Sequence, residues 1–509
     1  MNIRNIYWGL IIVLSGLLLF EWTSQKREQS IDSHLDYAEF FNTSGYGEGY
    51  SIIENDKLFV VVATRTGSII ETRLKEYPVE NVKGSLGFRV FGSSTETAFN
   101  YYFKSGFTGM NPVYLLSEVG DGFVVLEDPE KNLTKRVSLS SQDYEINILD
   151  SSKNGESGKS FAGLYRTAGR PLDLKSDVLS GGMMNNGSYL GVAISTDSAP
   201  YETTKLNQIE EGGVQNLSRS GWIAFVQKYF FAALLGSSDY IYNFYALPAE
   251  SGLYRMGYTV ENTSANSLVY EHEHRLYVGP KVRKDLMQKA DSLELSIEMG
   301  WFWFLAQPMV LAMDWINGYV GNWGLTIVIF TILIKLVFWP VTAKSFSSMA
   351  AMRKLTPELN EIKERYKDDP QKTQAETIKL FKKNGANPLG GCLPVLIQMP
   401  FFIGFFFALR EMVELRHSDF VIWTDLSVPD PYFIFPITFA ILMTLTQRLN
   451  PQPAGMDPTQ AQVMKYMPVI FSVFFVVMPA ALGLYMVVNT GIQLVQQAYM
   501  YKKSGALAD

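Results

Sequence analysis

The sequence that decides the fold is YVGNWGLTIVIFTILIKLVFWPVTA, residues 319–343. A helix of this length can cross ~30 Å of hydrocarbon, because each residue advances a helix by ~1.5 Å. The stretch holds one charged side chain, Lys335. A lysine inside a membrane span costs about 2.5–3.5 kcal/mol, so Lys335 either stretches towards the lipid headgroups or has a function. The stretch therefore predicts an integral membrane protein with a charge in one of its spans.

Three further apolar stretches follow, at 388–409, 432–446 and 467–500. The last contains Pro479 and predicts a tight hairpin of two short helices. Its 34 residues are few for two crossings, which indicates a locally thinned bilayer. Together with the first stretch they predict a core of five spans over residues 319–500.

The N-terminal residues 1–23 contain one more apolar stretch, which runs from Ile6 to Trp22 and is preceded by Arg4. It lacks the spaced small residues that signal peptidase needs. We therefore expect an uncleaved signal anchor, and six spans in all. A cleaved signal peptide is the alternative, and in both cases the following residues are exported.

Charge asymmetry sets the predicted orientation. Residues 344–383 carry ten Lys and Arg, whereas the loop at 412–431 carries only Arg416. The positive-inside rule places the basic segment in the cytoplasm. Counting spans from there predicts a multi-pass bacterial inner-membrane protein with both termini in the cytoplasm and residues 24–298 in the periplasm.

Two segments beside the spans are predicted to be amphipathic helices. The basic segment, 344–386, has a heptad-like apolar seam that predicts an antiparallel helical hairpin. The seam consists of Phe346, Met349, Met352, Leu355, Leu359, Ile362 and Tyr366. Residues 299–318 place Gln307, Asp314 and Asn317 on one face among Trp and Phe, which predicts a helix lying at the membrane interface.

Residues 24–298 are predicted to form a large, all-β domain. Apolar runs and alternating stretches are separated by Gly, Asn and Asp turns, which is typical of an antiparallel sandwich. The clearest predicted strands are 57–64, 113–119, 122–126, 134–139 and 144–149. The predicted fold class is therefore an α-helical six-span bundle with a large β-sandwich domain in the periplasm.

Composition excludes several functions. A net charge of −6 is unfavourable for specific nucleic-acid binding. Cys392 is the only cysteine and the chain has four histidines, so no disulfide, cysteine nucleophile or histidine metal site is expected. We predict neither a metal nor a cofactor.

Polar residues on three predicted helices indicate a common site. Thr331 lies one turn before Lys335, and Gln398 interrupts the apolar stretch that follows the hairpin. The final helix carries a polar stripe at steps of four residues, made of Tyr485, Asn489, Gln493 and Gln497. Unpaired amides are costly in hydrocarbon, so these faces must meet each other or water. We predict a hydrated, positively charged concavity, with direct hydrogen bonds between the helices as the alternative.

Several motifs resemble those of the YidC membrane protein insertases of Gram-negative bacteria. They are GNWGLTI (321–327), NPLGGCLPVLIQMP (387–400), VELR (413–416) and MPVIF (467–471), and in the exported part SGWIA (220–224), QKYF (227–230) and LYVGP (276–280). The resemblance covers nearly the whole chain. It implies a β-supersandwich domain in the periplasm and a five-helix core with a hydrophilic groove. That groove is expected to open to the cytoplasm and to lipid and to be closed to the periplasm.

The resemblance also implies function and partners. Family members insert inner-membrane proteins and help them fold, alone or with the Sec translocon. Nascent membrane proteins and the lipid bilayer are therefore the expected partners, and the cytoplasmic hairpin is the expected contact for a ribosome or the signal recognition particle receptor. The short tail, 501–509, has two basic residues, unlike the long basic tail through which some members hold ribosomes.

The groove residues are carried over position by position. Lys335 stands where the family usually has arginine, and it keeps the charge without the planar fork of a guanidinium. Thr331 matches a groove threonine. Tyr485 matches the first of two adjacent tyrosines, and Met486 replaces the second. The predicted groove residues are Lys335, Thr331, Gln398, Tyr485, Met486, Asn489 and Gln493.

Two other functions are alternatives to insertion. A small-solute or proton-coupled transporter would use Lys335 as its substrate or proton site, but the chain shows no repeated halves. An enzyme acting on envelope carbohydrate would need paired carboxylates, and no such spacing stands out. We therefore expect an insertase without catalytic residues.

Overall fold

A computed structural model describes residues 49–82, 84–94, 99–153, 159–168, 191–261, 269–366, 369–384, 393–450 and 458–505. The chain divides into two compact units. The β unit is Ile31–Ile297, and the helical unit is Met1–Ser30 with Glu298–Asp509. The predicted signal anchor, 1–23, lies outside the described residues.

The described part of the β unit consists of strands with two short α-helices, α1 (Leu206–Gly212) and α2 (Arg283–Leu286), and two 3₁₀ turns, Glu250–Gly252 and Leu293–Ser296. In chain order the strands are β1 Tyr50–Glu54, β2 Leu58–Ala63, β3 Ser68–Pro78, β4 Gly87–Ser94, β5 Phe99–Phe107, β6 Leu115–Gly120, β7 Phe123–Asp128, β8 Leu133–Leu139, β9 Glu145–Ser152, β10 Ser160–Thr167, β11 Gly191–Ser195, β12 Glu202–Lys205, β13 Val214–Ser218, β14 Trp222–Val226, β15 Phe230–Leu235, β16 Tyr242–Pro248, β17 Leu253–Val260 and β18 Tyr270–Pro280. The five strands predicted from the sequence are confirmed as β2, β6, β7, β8 and β9.

These strands form two nine-stranded antiparallel sheets. One has the order β1-β2-β3-β4-β5-β10-β17-β16-β13, and the other the order β12-β11-β14-β15-β18-β9-β8-β7-β6. Strands β14 and β15 are buried along their whole length, as their unbroken apolar sequences require. Gly257 in β17 permits close pairing with β10, because a Cβ at this position would lie 1.9 Å from the Ala162 carbonyl oxygen. The predicted β-supersandwich is confirmed.

A fully buried charged cluster connects strands of both sheets. The Lys135 ammonium lies 2.7 Å from one oxygen of Asp150, and Ser105 donates to the other at 2.6 Å. His274 lies beside the same carboxylate, and its second ring nitrogen is 3.0 Å from the Tyr258 hydroxyl. Burial opposes ionisation of Asp150, but Lys135 and His274 hold the pKa of that carboxyl well below its usual range. No pattern within a single strand predicts this cluster, because its members come from different strands.

The helical unit is described as nine longer helices. They are α3 Trp303–Val320, α4 Trp323–Val337, α5 Trp339–Lys354, α6 Thr356–Arg365, α7 Pro370–Lys383, α8 Leu393–Glu411, α9 Ile434–Leu449, α10 Pro458–Phe475 and α11 Ala480–Lys503. Within the described residues, no helix taken singly has both the length and the apolar character to cross a bilayer, whereas α4 and α5 taken together do.

The first core span is bent, and the prediction of one continuous helix up to residue 343 is wrong. Helix α4 ends at Val337 and α5 begins at Trp339, with an angle of 66° between them. Pro340 lies in the first turn of α5. A proline inside a helix removes a hydrogen bond and clashes with the preceding turn, whereas the first turn tolerates it. Lys335 consequently lies in the last turn of α4 and not in the middle of a longer helix.

The predicted hairpin is present as α6 and α7, which pack against each other. The apolar seam begins before the hairpin does, because the first seam residues belong to α5. Seam residues Phe346, Met349, Met352, Leu355 and Leu359 are buried. The seam therefore joins the hairpin to the bundle and does not only close the hairpin on itself.

Helix α3 presents two different faces. Met309, Met313 and Ile316 are buried, and the helix packs against α4 and α8. The opposite side exposes Trp303, Phe304, Leu311, Trp315 and Tyr319. An aromatic surface of this kind is typical of a helix at the membrane interface.

The last two helices form the predicted hairpin but are longer than expected, with 18 residues in α10 and 24 in α11. The loop before α9 closes one end of the bundle over the start of α11. The first amides of α11, at Ala480 and Ala481, donate to the carbonyls of Val428 and Leu426 at 2.7 and 2.9 Å. These amides have no partner within their own helix, so the loop satisfies them.

Candidate functional site

Lys335 is buried in the helical unit, with one neutral partner in the described part of the chain. Its side chain is about as enclosed as a core residue, with 3% exposed. The ammonium donates to Oε1 of Gln398 on α8 at 3.4 Å. No ion pair to Lys335 is present among the residues that the structure describes. A buried ammonium held by a single long hydrogen bond to an amide retains an unmet demand for negative charge.

The hydrogen bond from Lys335 continues to a third helix. The Gln398 amide nitrogen donates to Oδ1 of Asn489 on α11 at 2.7 Å. The two ends of one amide thus connect α4 to α11 through α8. Lys335, Gln398 and Asn489 form a polar chain that the spacing along the sequence predicted only as three separate polar faces.

The other predicted groove residues take different contacts. The buried Thr331 hydroxyl donates to the Ile327 carbonyl of its own helix at 2.6 Å. Tyr485 is buried against aromatic rings, with its centroid 4.6 Å from that of Phe405. Met486 and Gln493 are half-buried on α11. The structure therefore assembles three of the seven residues by direct hydrogen bonds and leaves the rest around them.

A cavity of ≈ 20 Å³ lies beside Lys335, which is room for about one water molecule. Its walls come from α4, α5 and α8. The lining residues are Ile334, Lys335, Phe338, Val341, Thr342, Ile397 and Gln398. In this conformation the polar faces satisfy each other by hydrogen bonds between helices around a water-sized space. A wider hydrated concavity would require these helices to separate.

The sequence places Thr342 on the same face as Lys335, but it does not predict α5 as a separate wall of this cavity. The cause is the bend at Phe338, which brings Val341 and Thr342 back towards the lysine. The Trp339–Pro340 pair was the local signal, because the residue before a proline is biased away from the helical conformation.

Two family models match the chain. The model described as "60Kd inner membrane protein" matches residues 315–506, and the model described as "YidC periplasmic domain" matches residues 52–312. These two regions cover most of the helical unit and most of the β unit.

Relatives match over nearly the whole length. A "Membrane protein insertase YidC" from Hahella chejuensis is 35% identical over 511 residues, covering 96% of this chain and 88% of the relative. One from Pseudomonas putida is 36% identical over 477 residues, covering 89% and 83%. The solved structure "Active YidC insertase crystal structure with the first transmembrane domain resolved" is 20% identical with a TM-score of 0.40, covering 88% of this chain and 92% of that chain.

Proposed function

The chain belongs to the YidC family of membrane protein insertases, and on this premise we propose that Lys335 is the charge that receives a hydrophilic segment of the inserting protein. The protein is an inner-membrane insertase with a periplasmic domain, and its substrates are nascent membrane proteins. These relatives favour neither a transporter nor an enzyme acting on carbohydrate.

The observation that carries the proposal is the poor solvation of the Lys335 ammonium. Its partner is a neutral amide at 3.4 Å. A carboxylate would bring a full opposite charge to the ammonium and form a shorter bond, of about 2.7–2.9 Å. An acidic side chain of an incoming polypeptide therefore competes well with Gln398 for the lysine. Displaced from the lysine, Gln398 keeps its bond to Asn489, so α8 and α11 stay connected during the exchange.

Insertion then depends on where the bundle holds the substrate segment, and it needs no covalent step. A hydrophilic segment drawn part-way into the bundle has less hydrocarbon left to cross, which lowers the barrier to its translocation. The apolar segment leaves towards lipid along α9 and α10, whose outer sides expose large apolar residues such as Ile437, Ile441, Val469 and Phe474. The protein accordingly works without a cofactor and not as an enzyme.

The proposed topology follows from the charge distribution. The basic residues of 344–383 face the cytoplasm, both termini are cytoplasmic and the chain crosses the membrane six times. The hairpin α6–α7 is then the contact for a ribosome or the signal recognition particle receptor. The Sec translocon is a further proposed partner.

The test is insertion of a Sec-independent substrate with an acidic exported segment into proteoliposomes that contain purified variants. Lys335→Glu should abolish insertion, because two buried carboxylates would repel each other. Lys335→Arg should retain it. Lys344→Glu is the matched control, since Lys344 lies on the same bent helix pair but is exposed.

A folded Lys335→Glu protein with full activity would contradict the proposal. A further check uses the substrate itself, because replacing its acidic residues by amides should reduce insertion by the native protein. The same change in the substrate should have little effect on its insertion by the Lys335→Met protein, because that protein has already lost the attracting charge.

A further inference from the structure

Helix α5 runs from the cavity beside Lys335 to a contact with the end of α9. At its start, Val341 and Thr342 line the cavity beside the lysine. At its end, Arg353 donates from Nη1 to the Leu449 carbonyl at 2.8 Å. Thr342 and Arg353 are ~16 Å apart along the axis at ~1.5 Å per residue. A tilt of α5 that moves one end therefore moves the other.

The contacts of Arg353 are well built. Its guanidinium lies over the ring of Tyr501, 5.6 Å from the centroid, and Tyr501 is fully buried. Gln497 fixes that ring by donating to its hydroxyl at 3.0 Å and to Asn450 at 2.6 Å. The Leu449 carbonyl is among the last of α9 and has no partner within that helix. Arg353 thus joins α5 to the ends of α9 and α11.

The cytoplasmic hairpin rests on the same place. Phe346, Met349, Ala350, Met352 and Leu355 of the α5 region pack with Tyr501 in one apolar cluster. Leu380 and Phe381 of α7 pack against this cluster from outside. Movement of the hairpin is therefore coupled to the position of α5.

The other end of α5 is a joint. Phe338 is both the C-cap residue of α4 and the N-cap residue of α5, and the 66° bend between the two helices is centred there. A bend without a continuous helical hydrogen-bond ladder can change its angle at lower cost than a straight helix. The contact at Arg353 and the apolar cluster beside it fasten the far end of α5.

We propose that Arg353 is a positioning residue for insertion. With Leu449 and Tyr501 it forms the Arg353 latch, which holds α5 against α9 and α11 and keeps the Lys335 cavity at the size of one water molecule. Release of the latch, when a partner lifts the hairpin, lets α5 pivot at Phe338 and opens the cavity to the substrate. The proposal rests on the proposed function of Lys335.

The test measures access to the cavity and does not depend on activity. The single native cysteine is replaced (Cys392→Ser) and a probe cysteine is introduced on the α5 wall (Thr342→Cys). The protein is reconstituted in lipid nanodiscs, and the rate of modification by a charged maleimide is measured. Arg353→Met should raise that rate by about tenfold, the usual effect of losing a charge-assisted hydrogen bond. The modification rate of Arg353→Lys should lie between those of the native protein and Arg353→Met, because lysine keeps the charge but lacks the planar group that stacks on Tyr501.

Lys354→Met is the matched control, because Lys354 is the exposed neighbour on the same turn, and it should leave the rate unchanged. An unchanged rate in folded Arg353→Met protein, or an equal rise in Lys354→Met, would overturn the latch. Thermal unfolding of each variant shows whether the protein is folded. If Arg353→Met is misfolded, Arg353→Lys takes its place as the milder variant. Lys335 is unchanged in all of these variants, and the charged site is tested separately by substrate insertion, so failure of the latch is distinguishable from failure of the charged site.

Discussion

His272 in β18 should make the β unit lose stability in mild acid. Its side chain is 1% exposed, and neither ring nitrogen has a hydrogen-bond partner among the described residues. The ring packs edge-on against Tyr240 at 4.7 Å and against His274 at 4.6 Å. Burial, together with repulsion from His274, lowers the pKa of His272 from 6.5 to about 3. The folded protein therefore keeps this imidazole neutral where an unfolded chain would protonate it.

The size of the effect follows from linkage between proton binding and folding. Between pH 6.5 and pH 3 the unfolded state binds the proton and the folded state does not, so stability is complete above pH 6.5 and falls as the pH is lowered. One pH unit in this window corresponds to about 1.4 kcal/mol. Lowering the pH from 7 to 5 should therefore remove about 2 kcal/mol of unfolding free energy through His272 alone.

The substitution His272→Phe should abolish this part of the pH dependence, because phenylalanine has a similar ring and does not titrate. It also removes two buried polar atoms without partners, so stability at pH 7 should not fall. His274 remains, and some acid sensitivity should therefore persist.

The measurement is hydrogen exchange of the β9 and β18 amides in the full-length protein in nanodiscs, at pH 7 and pH 5, corrected for intrinsic exchange rates. The loss between the two pH values should be about 2 kcal/mol smaller in His272→Phe than in the native protein. Glu273→Gln, at the exposed neighbouring position, should behave as the native protein does. An equal loss in the native and His272→Phe proteins would refute the reasoning.

Three substitutions test other contacts. Asp150→Asn leaves the buried Lys135 without its ion pair, so the β unit should lose about 3–5 kcal/mol in denaturant titrations; a loss of less than about 1 kcal/mol would contradict the buried pairing. Gly257→Ala places a Cβ 1.9 Å from a neighbouring carbonyl oxygen, so β17 amides should exchange faster while those of β7 stay protected. Gln398→Leu removes both hydrogen bonds of the polar chain that starts at Lys335, and the helical unit should lose about 1–3 kcal/mol, seen as a lower thermal midpoint in nanodiscs.

Much of the architecture was predictable because it depends on local periodicity. The alternating and continuous apolar runs became β2 and β6 to β9, close to the predicted bounds. The heptad seam became the buried side of α5 and α6. The composition of residues 299–318 predicted the aromatic surface of α3. In each case the pattern within one segment decides which face of that segment avoids water.

The sequence by itself also singled out Lys335, because a charge in an apolar span is visible without any structure. Only the tertiary structure decided its surroundings. The spacing of Gln398 and Asn489 showed that each lies on a polar face, but periodicity cannot tell which face meets which. The buried cluster of Lys135 and Asp150 was hidden for the same reason, since its members come from different strands. Partners that are distant in the chain are chosen by packing, and packing is a property of the whole fold.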